Sequence, residues 1–103
     1  MKNFSSDRMR LDYQRGRAAQ YFCANYSREK RYLIILSRDL SAGYSMINSV
    51  GIEKAREFQK FWDFLCDFER LRELMKEFRW SKEFLLENGI DFVSYKKLYF
   101  AAA

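Results

Sequence analysis

The sequence contains no histidine, and this absence narrows the possible functions. Without histidine the chain lacks the commonest general base, the usual metal ligand and every histidine-containing catalytic triad. It also lacks a glycine-rich phosphate loop and a nucleophile motif. We therefore expect no enzyme, no cofactor and no metal site.

The chain also lacks a long apolar run. A membrane-spanning helix needs roughly 18 or more consecutive apolar residues, and no such run occurs. The first ten residues, MKNFSSDRMR, do not contain the apolar core of a signal peptide. The sequence thus predicts no membrane span and a cytoplasmic location.

Cysteine is scarce as well, with only Cys23 and Cys66 present. The two residues are isolated and do not have the spacing of metal ligands. We interpret them as reduced thiols that line the core, with a disulfide or a reactive thiol as the alternatives.

The length of 103 residues and the apolar content of 49% predict one folded domain over residues 1–100. Aromatic residues make up 18% of the chain, which suffices for large buried areas or for an exposed surface that binds a partner. The terminal alanines 101–103 are interpreted as a cloning remnant outside the domain.

Positive charge is concentrated in the first half of the chain. Residues 1–50 hold nine basic and four acidic side chains, a net charge of +5, whereas residues 51–103 hold ten of each. A basic excess on one part of a chain favours an anionic partner, of which nucleic acid is the first candidate.

The rest of the chain is expected to be arranged around residues 52–79. This stretch has no proline or glycine, and its apolar residues recur at steps of three or four, which predicts a long amphipathic helix. The apolar positions are Phe58, Phe61, Trp62, Leu65, Phe68, Leu71, Met75 and Phe78. A kink near residues 69–72 or supercoiling would explain the drift of the stripe. Because the helix is apolar on more than one side, it needs other helices or a second copy of the chain against it.

Helical spacing and capping residues predict the remaining helices. These cover residues 8–25, 28–40, 82–88 behind the cap Ser81, and 92–100 behind the cap Asp91. The predicted fold class is therefore an all-α bundle of about five helices around the long helix. The β-branched run within residues 31–38 leaves one alternative, a hairpin of residues 31–38 and 44–50.

Residues 36–50, LSRDLSAGYSMINSV, have five apolar positions around a central turn signal. The apolar positions are Leu36, Leu40, Ala42, Ile47 and Val50. This stretch resembles the helix-turn-helix of small phage repressors of the Cro type. The resemblance implies two short helices within residues 33–50, the second of which lies in the DNA major groove. It also implies a homodimer on a two-fold DNA site, with residues 52–79 as the dimer interface.

The same resemblance implies which side chains face double-stranded DNA. These are Tyr44, Ser45, Asn48 and Ser49, and Asn48 could bond an adenine edge. Basic and aromatic residues nearby are expected to contact phosphates or stack on bases. They are Arg10, Tyr13, Arg17, Arg28, Lys30, Arg31 and Arg38.

The leading hypothesis is a small DNA-binding regulator with a basic first half. The alternative is a non-enzymatic helical protein-interaction module, such as an adaptor, inhibitor or immunity-type protein of a phage or mobile element. The surplus of aromatic residues between positions 58 and 84 favours this second function. RNA binding through the basic and aromatic row near Arg10 is a further alternative.

Overall fold

The structure is a computed structural model that describes residues 25–103. It is all-α throughout this range, as predicted, and the range contains no strand. The helices are α1 (Arg28–Val50), α2 (Ile52–Ala55), α3 (Gln59–Phe78), α4 (Lys82–Glu87) and α5 (Phe92–Ala102). The hairpin alternative for residues 31–50 is therefore wrong. The predicted helix over residues 8–25 falls, apart from its last residue, outside the described range.

The chain divides into two compact units, Met1–Arg31 and Tyr32–Ala103. The boundary falls within the first turn of α1 and was not predicted from the sequence. The second unit contains the remainder of α1 and all of the helices that follow it. The core described below belongs to this second unit.

α1 is one continuous helix of 23 residues. The turn predicted in the middle of residues 36–50, and with it the pair of short helices within residues 33–50, is therefore wrong. The buried residues of α1 follow one another at steps of three or four from end to end. They are Leu33, Leu36, Leu40, Gly43 and Ile47. The stripe continues without interruption through the position of the expected turn. One straight helix can therefore bury all five residues on the same face.

Gly43 is buried because α1 crosses α3 closely at this point. A Cβ atom on Gly43 would lie 2.9 Å from the Cβ of Phe64 and 3.3 Å from the carbonyl oxygen of Lys60. The first of these distances is shorter than carbon atoms in proteins tolerate. The glycine thus allows two backbones to approach, rather than allowing the chain to turn.

The long helix predicted over residues 52–79 is broken into α2 and α3. Phe58 is extended, with φ of −113° and ψ of 143°, and α3 begins at the next residue. In a continuous helix Ala55 and Phe61 would point in directions about 120° apart, because each residue turns the helix by about 100°. The break allows both side chains to be fully buried. It lies well before residues 69–72, where the drift of the stripe had suggested a kink.

The core is built on three fully buried phenylalanines of α3, Phe61, Phe64 and Phe68. The ring of Phe68 stacks on Phe92 at 5.4 Å and on Tyr99 at 4.8 Å, measured between centroids. Aromatic pairs at such distances contribute beyond the area that they bury. α5 is therefore held against α3 through its aromatic face.

The last two helices begin at the predicted caps. The Ser81 hydroxyl accepts a hydrogen bond from the backbone N–H of Phe84 at 3.0 Å, and the Asp91 carboxylate accepts one from Ser94 at 3.2 Å. Such caps satisfy backbone donors that a helix N-terminus would leave unpaired. Between the helices, Gly89 has a φ of +83°, a conformation that glycine adopts without strain.

The terminal alanines were expected to lie outside the folded domain, but the last helix includes Ala102. α5 extends to Ala102, which is fully buried. The carbonyl oxygen of Ala102 accepts a hydrogen bond from Nη2 of Arg56 at 2.8 Å. The end of α5 is thus fastened to the segment that joins α2 to α3.

The substitution Gly43→Ala tests the close crossing of α1 and α3. Alanine in a helix is favoured over glycine by about 1 kcal/mol, so an uncrowded site would become more stable. We expect instead a loss of about 1–3 kcal/mol in the free energy of unfolding, because the methyl group pushes against Phe64. Urea denaturation measures the change, and Ser45→Ala at an exposed position of α1 is the control. A stabilised Gly43→Ala variant would show that the helices are not in contact here.

Candidate functional site

The sequence predicted eleven nucleic-acid-binding residues, and the described ones all lie on α1. Arg10, Tyr13 and Arg17 are outside the described residues. The others are Arg28, Lys30, Arg31, Arg38, Tyr44, Ser45, Asn48 and Ser49. They extend along the whole helix and do not share one face, because successive residues are turned by about 100°. The structure therefore does not gather them into one site.

The three cations at the start of α1 belong to the first unit of the chain. Ser27 caps the helix there, since its hydroxyl accepts a hydrogen bond from the backbone N–H of Lys30 at 3.2 Å. The guanidinium of Arg31 donates to the carbonyl oxygen of Tyr26 at 2.7 Å. The backbone of Lys30 and the guanidinium of Arg31 thus have local roles in the first turn of the helix.

The middle of α1 does not present a strong positive charge. Arg38 is exposed, and its Nε atom lies 3.6 Å from the carboxylate of the neighbouring Asp39. Ser45 and Ser49 are exposed further along the helix. An exposed ion pair of this kind contributes little to stability, and it offsets the charge that a phosphate would otherwise meet.

Tyr44 and Asn48, one turn apart on α1, line a shallow groove against α5. We call this the α1–α5 groove; its lining residues are Tyr44, Asn48, Ser94, Lys97, Leu98 and Ala101, and its volume is about 280 Å³. The ring of Tyr44 packs on Tyr95 at 5.1 Å between centroids. The lining thus combines one cation, three neutral hydrogen-bonding groups and a small apolar part, without a carboxylate.

A second groove, the acidic groove, lies between α1 and α3. It also measures about 280 Å³ and is lined by Asp39, Ala42, Lys60, Asp63 and Asp67. Burial raises the pKa of Asp67 above its usual value of 3.8, and the nearby carboxylates Asp39 and Asp63 raise it further. Within residues 25–103 no group of side chains is arranged to hold a metal ion.

Large apolar side chains are exposed on the outer side of α4 and α5. Leu86 is 62% exposed, Val93 50% and Phe100 57%, the highest values among the large apolar residues of the described chain. Leu86 and Val93 line one groove of about 170 Å³ together with Phe92. We call Leu86, Val93 and Phe100, with Lys96 between the last two, the α4–α5 surface.

The stripe predicted as a dimer interface is largely the core of the chain itself. Phe61, Phe68 and Leu71 are fully buried, so they are inaccessible to a second copy. Leu65, Met75 and Phe78 are partly buried against the same core.

Only Phe58 and Trp62 of that stripe are exposed, by 42% and 47%. The indole Nε1 of Trp62 donates to the carbonyl oxygen of Arg56 at 3.1 Å, which fixes the ring over the α2–α3 break. Cys66 follows one turn later and is exposed with a free thiol, so its interpretation as a core residue is wrong. Cys23 is outside the described residues.

No protein-family model, curated protein or solved structure matches this chain. The resemblance to Cro-type regulators thus stays a prediction from fifteen residues. Among the described residues no helix is both long and apolar enough to cross a membrane.

Sequence reasoning missed the contributions of α5 to both candidate surfaces. Ser94 and Lys97 complete the α1–α5 groove, and Val93 and Phe100 form most of the α4–α5 surface. One signal was present in the sequence. The segment FVSYKKLYF is apolar on both faces of a helix, whereas burial on one side requires only one apolar face.

The substitution Asp67→Asn tests the electrostatics of the acidic groove. A carboxyl whose pKa is raised by folding favours the folded state when protonated, so its ionised form is destabilising above that raised pKa. At pH 7 the variant should gain up to about 1 kcal/mol in the free energy of unfolding, a small effect because solvent screens the site. The gain should shrink as the pH falls through the raised pKa of Asp67, because the wild-type carboxyl then becomes protonated.

Denaturation at several pH values measures this gain, with Glu73→Gln on the exposed side of α3 as the control. A gain that does not depend on pH would mean that packing, and not charge, distinguishes the variant.

Proposed function

We propose that this chain is a non-enzymatic protein-binding module whose binding site is the α4–α5 surface. The observation that carries the proposal is the exposure of Leu86, Val93 and Phe100, each half exposed or more, on two consecutive short helices. Single exposed apolar residues are common, but neighbouring ones mark a site of association. Leu86 and Val93 are neighbours because they line the same groove.

The spacing on α5 fits a helix of the partner. Val93 and Phe100 are seven residues apart, so they lie on one face and are separated by about 10 Å along the axis. Apolar side chains two turns apart on a partner helix have the same separation. The groove beside Leu86 and Val93 can accept one of them, and the ring of Phe100 can pack on the next.

The charge of α5 indicates which side chains the partner has between its apolar contacts. α5 contains Lys96 and Lys97 and no carboxylate from Phe92 to Ala102. The guanidinium of Arg72 lies 5.8 Å from the centroid of the Phe100 ring and adds a cation at that end. The groove beside Leu86 contains Glu83 and Asp91 as well as Lys82, so the excess of positive charge lies between Val93 and Phe100. We therefore propose a partner that presents an amphipathic helix whose carboxylates lie in that part of the surface, between its apolar residues.

DNA binding by a homodimer remains a prediction that rests on the excess of basic residues in the first half of the chain. Without a helix-turn-helix in residues 33–50, it has no reading helix among the described residues. The protein-binding proposal has the stronger support, because it rests on side chains whose surroundings are known.

A photoreactive benzoylphenylalanine at position 93 identifies the occupant of the surface in cells that make the protein. We expect a covalent adduct with one protein, which is then purified and titrated against the unmodified chain. Val93→Asp should weaken that binding by about tenfold or more, since it removes an apolar contact and repels the partner's carboxylates.

The matched control is Val50→Asp, at an exposed valine on the last turn of α1. This variant should bind the partner with an affinity within about twofold of the wild type. Thermal unfolding confirms that both variants are folded. Adducts confined to nucleic acid or to a second copy of the chain, or equal loss of binding in both variants, would contradict the proposal.

A further inference from the structure

We propose that the α1–α5 groove binds the phosphate group of a small phosphorylated ligand that carries a flat apolar ring. This site is distinct from the α4–α5 surface and does not depend on the protein-binding proposal. It is formed by two segments that are far apart in the sequence, Tyr44 and Asn48 on α1 and Ser94 to Ala101 on α5.

The polar side chains of the groove are available to a ligand. Asn48 and Lys97 are exposed, and Ser94 is half-buried. None of these three side chains has a hydrogen-bond or ion-pair partner within residues 25–103. Together they offer an amide N–H, a hydroxyl and an ammonium group, which are common donors to phosphate oxygens.

The charge of the lining distinguishes this groove from its neighbours. The acidic groove contains three carboxylates beside Lys60, and the groove next to Leu86 contains Glu83 and Asp91 beside Lys82. The α1–α5 groove contains Lys97 and no carboxylate. An anion in it meets a net attraction, whereas the other two grooves oppose an anion.

The apolar part of the lining indicates the remainder of the ligand. The Tyr44 ring is held by its contact with Tyr95 at 5.1 Å, and Leu98 is partly buried beside it. A ring of the ligand can pack on these side chains while its phosphate reaches Lys97. A volume of about 280 Å³ suits a ligand of roughly the size of a mononucleotide.

The phosphate is the recognised group, and it could belong to a free nucleotide, a nucleic-acid strand or a lipid headgroup. We assign the groove to the free nucleotide because the groove is short and Lys97 is the single cation in its lining. A strand or a membrane would need further cations next to the groove.

A titration of the ¹⁵N-labelled chain with adenosine 5′-monophosphate, followed by amide chemical shifts, tests the site. We expect saturable shifts at Asn48, Ser94 and Lys97, with a dissociation constant of about 1 mM or below for such an open site. Adenosine without phosphate, and inorganic phosphate without the ring, should each bind about tenfold more weakly.

The neighbouring lysines provide matched variants. Lys97→Gln should weaken binding of the nucleotide by about fivefold or more, because it removes the one cation of the groove. Lys96→Gln should leave the dissociation constant within about twofold, since consecutive helical residues point about 100° apart. The substitutions are exposed and conserve length, so both variants should fold as the wild type does.

Three results would overturn the assignment. The first is the absence of saturable shifts at about 10 mM nucleotide. The second is an equal loss in the Lys96→Gln and Lys97→Gln variants, which would show only non-specific attraction to the net positive charge. The third is tighter binding to single-stranded oligonucleotides or to anionic vesicles than to the nucleotide, which would assign the groove to a strand or a membrane.

Discussion

The close contact between α1 and α3 at Gly43 is the constraint on which the rest of the second unit depends. At this point the backbone of α1 lies against the Cβ atom of Phe64, so only a glycine leaves enough space. The buried stripe of α1 and the rings of Phe61, Phe64 and Phe68 belong to the same core. The other side of those rings is then left for α5, which covers it with Phe92, Tyr95 and Tyr99. Both candidate binding surfaces are on α5, so their positions follow from this packing.

Local features of the fold could be read from the sequence, because they depend on residues within one turn of each other. Ser81 and Asp91 bond the amides of Phe84 and Ser94, three residues on, so their spacing alone identifies the caps. The turn predicted in the middle of residues 36–50 is absent, and Gly43 instead lies where α1 approaches α3 closely. A glycine in a helical pattern indicates either a turn or a close approach of another backbone, and the sequence does not contain the second backbone. The break at Phe58 was not predicted for the same reason: it depends on the positions at which Ala55 and Phe61 are buried in the core, and a local pattern does not contain them.

The candidate sites could be predicted only in part. Tyr44 and Asn48 were singled out for a resemblance that the geometry of α1 does not support, yet they do line a groove. Their partners Ser94 and Lys97 follow about fifty residues later, and no local pattern joins the two segments. The aromatic stripe of α3 was predicted to be a dimer interface, but most of it lies in the core of the chain itself. Its periodicity showed that one face is buried, but periodicity cannot distinguish burial inside the chain from burial against a second copy.

α5 is the element whose composition is least explained by the fold alone. Burial against α3 uses the face with Phe92, Tyr95, Tyr99 and Ala102, whereas Val93 and Phe100 are half exposed or more. The ring of Phe100 has an edge contact with Tyr99, at 5.2 Å between centroids, but most of it stays in solvent. Apolar side chains left in water gain nothing for stability, and they raise the risk of association. Polar residues at both positions would preserve the core and remove that risk. Lys97 lies four residues after Val93 and three residues before Phe100, so it borders the α4–α5 surface as well as lining the α1–α5 groove. The two surfaces therefore adjoin along α5, and one short helix contributes side chains to both without a change in its own packing.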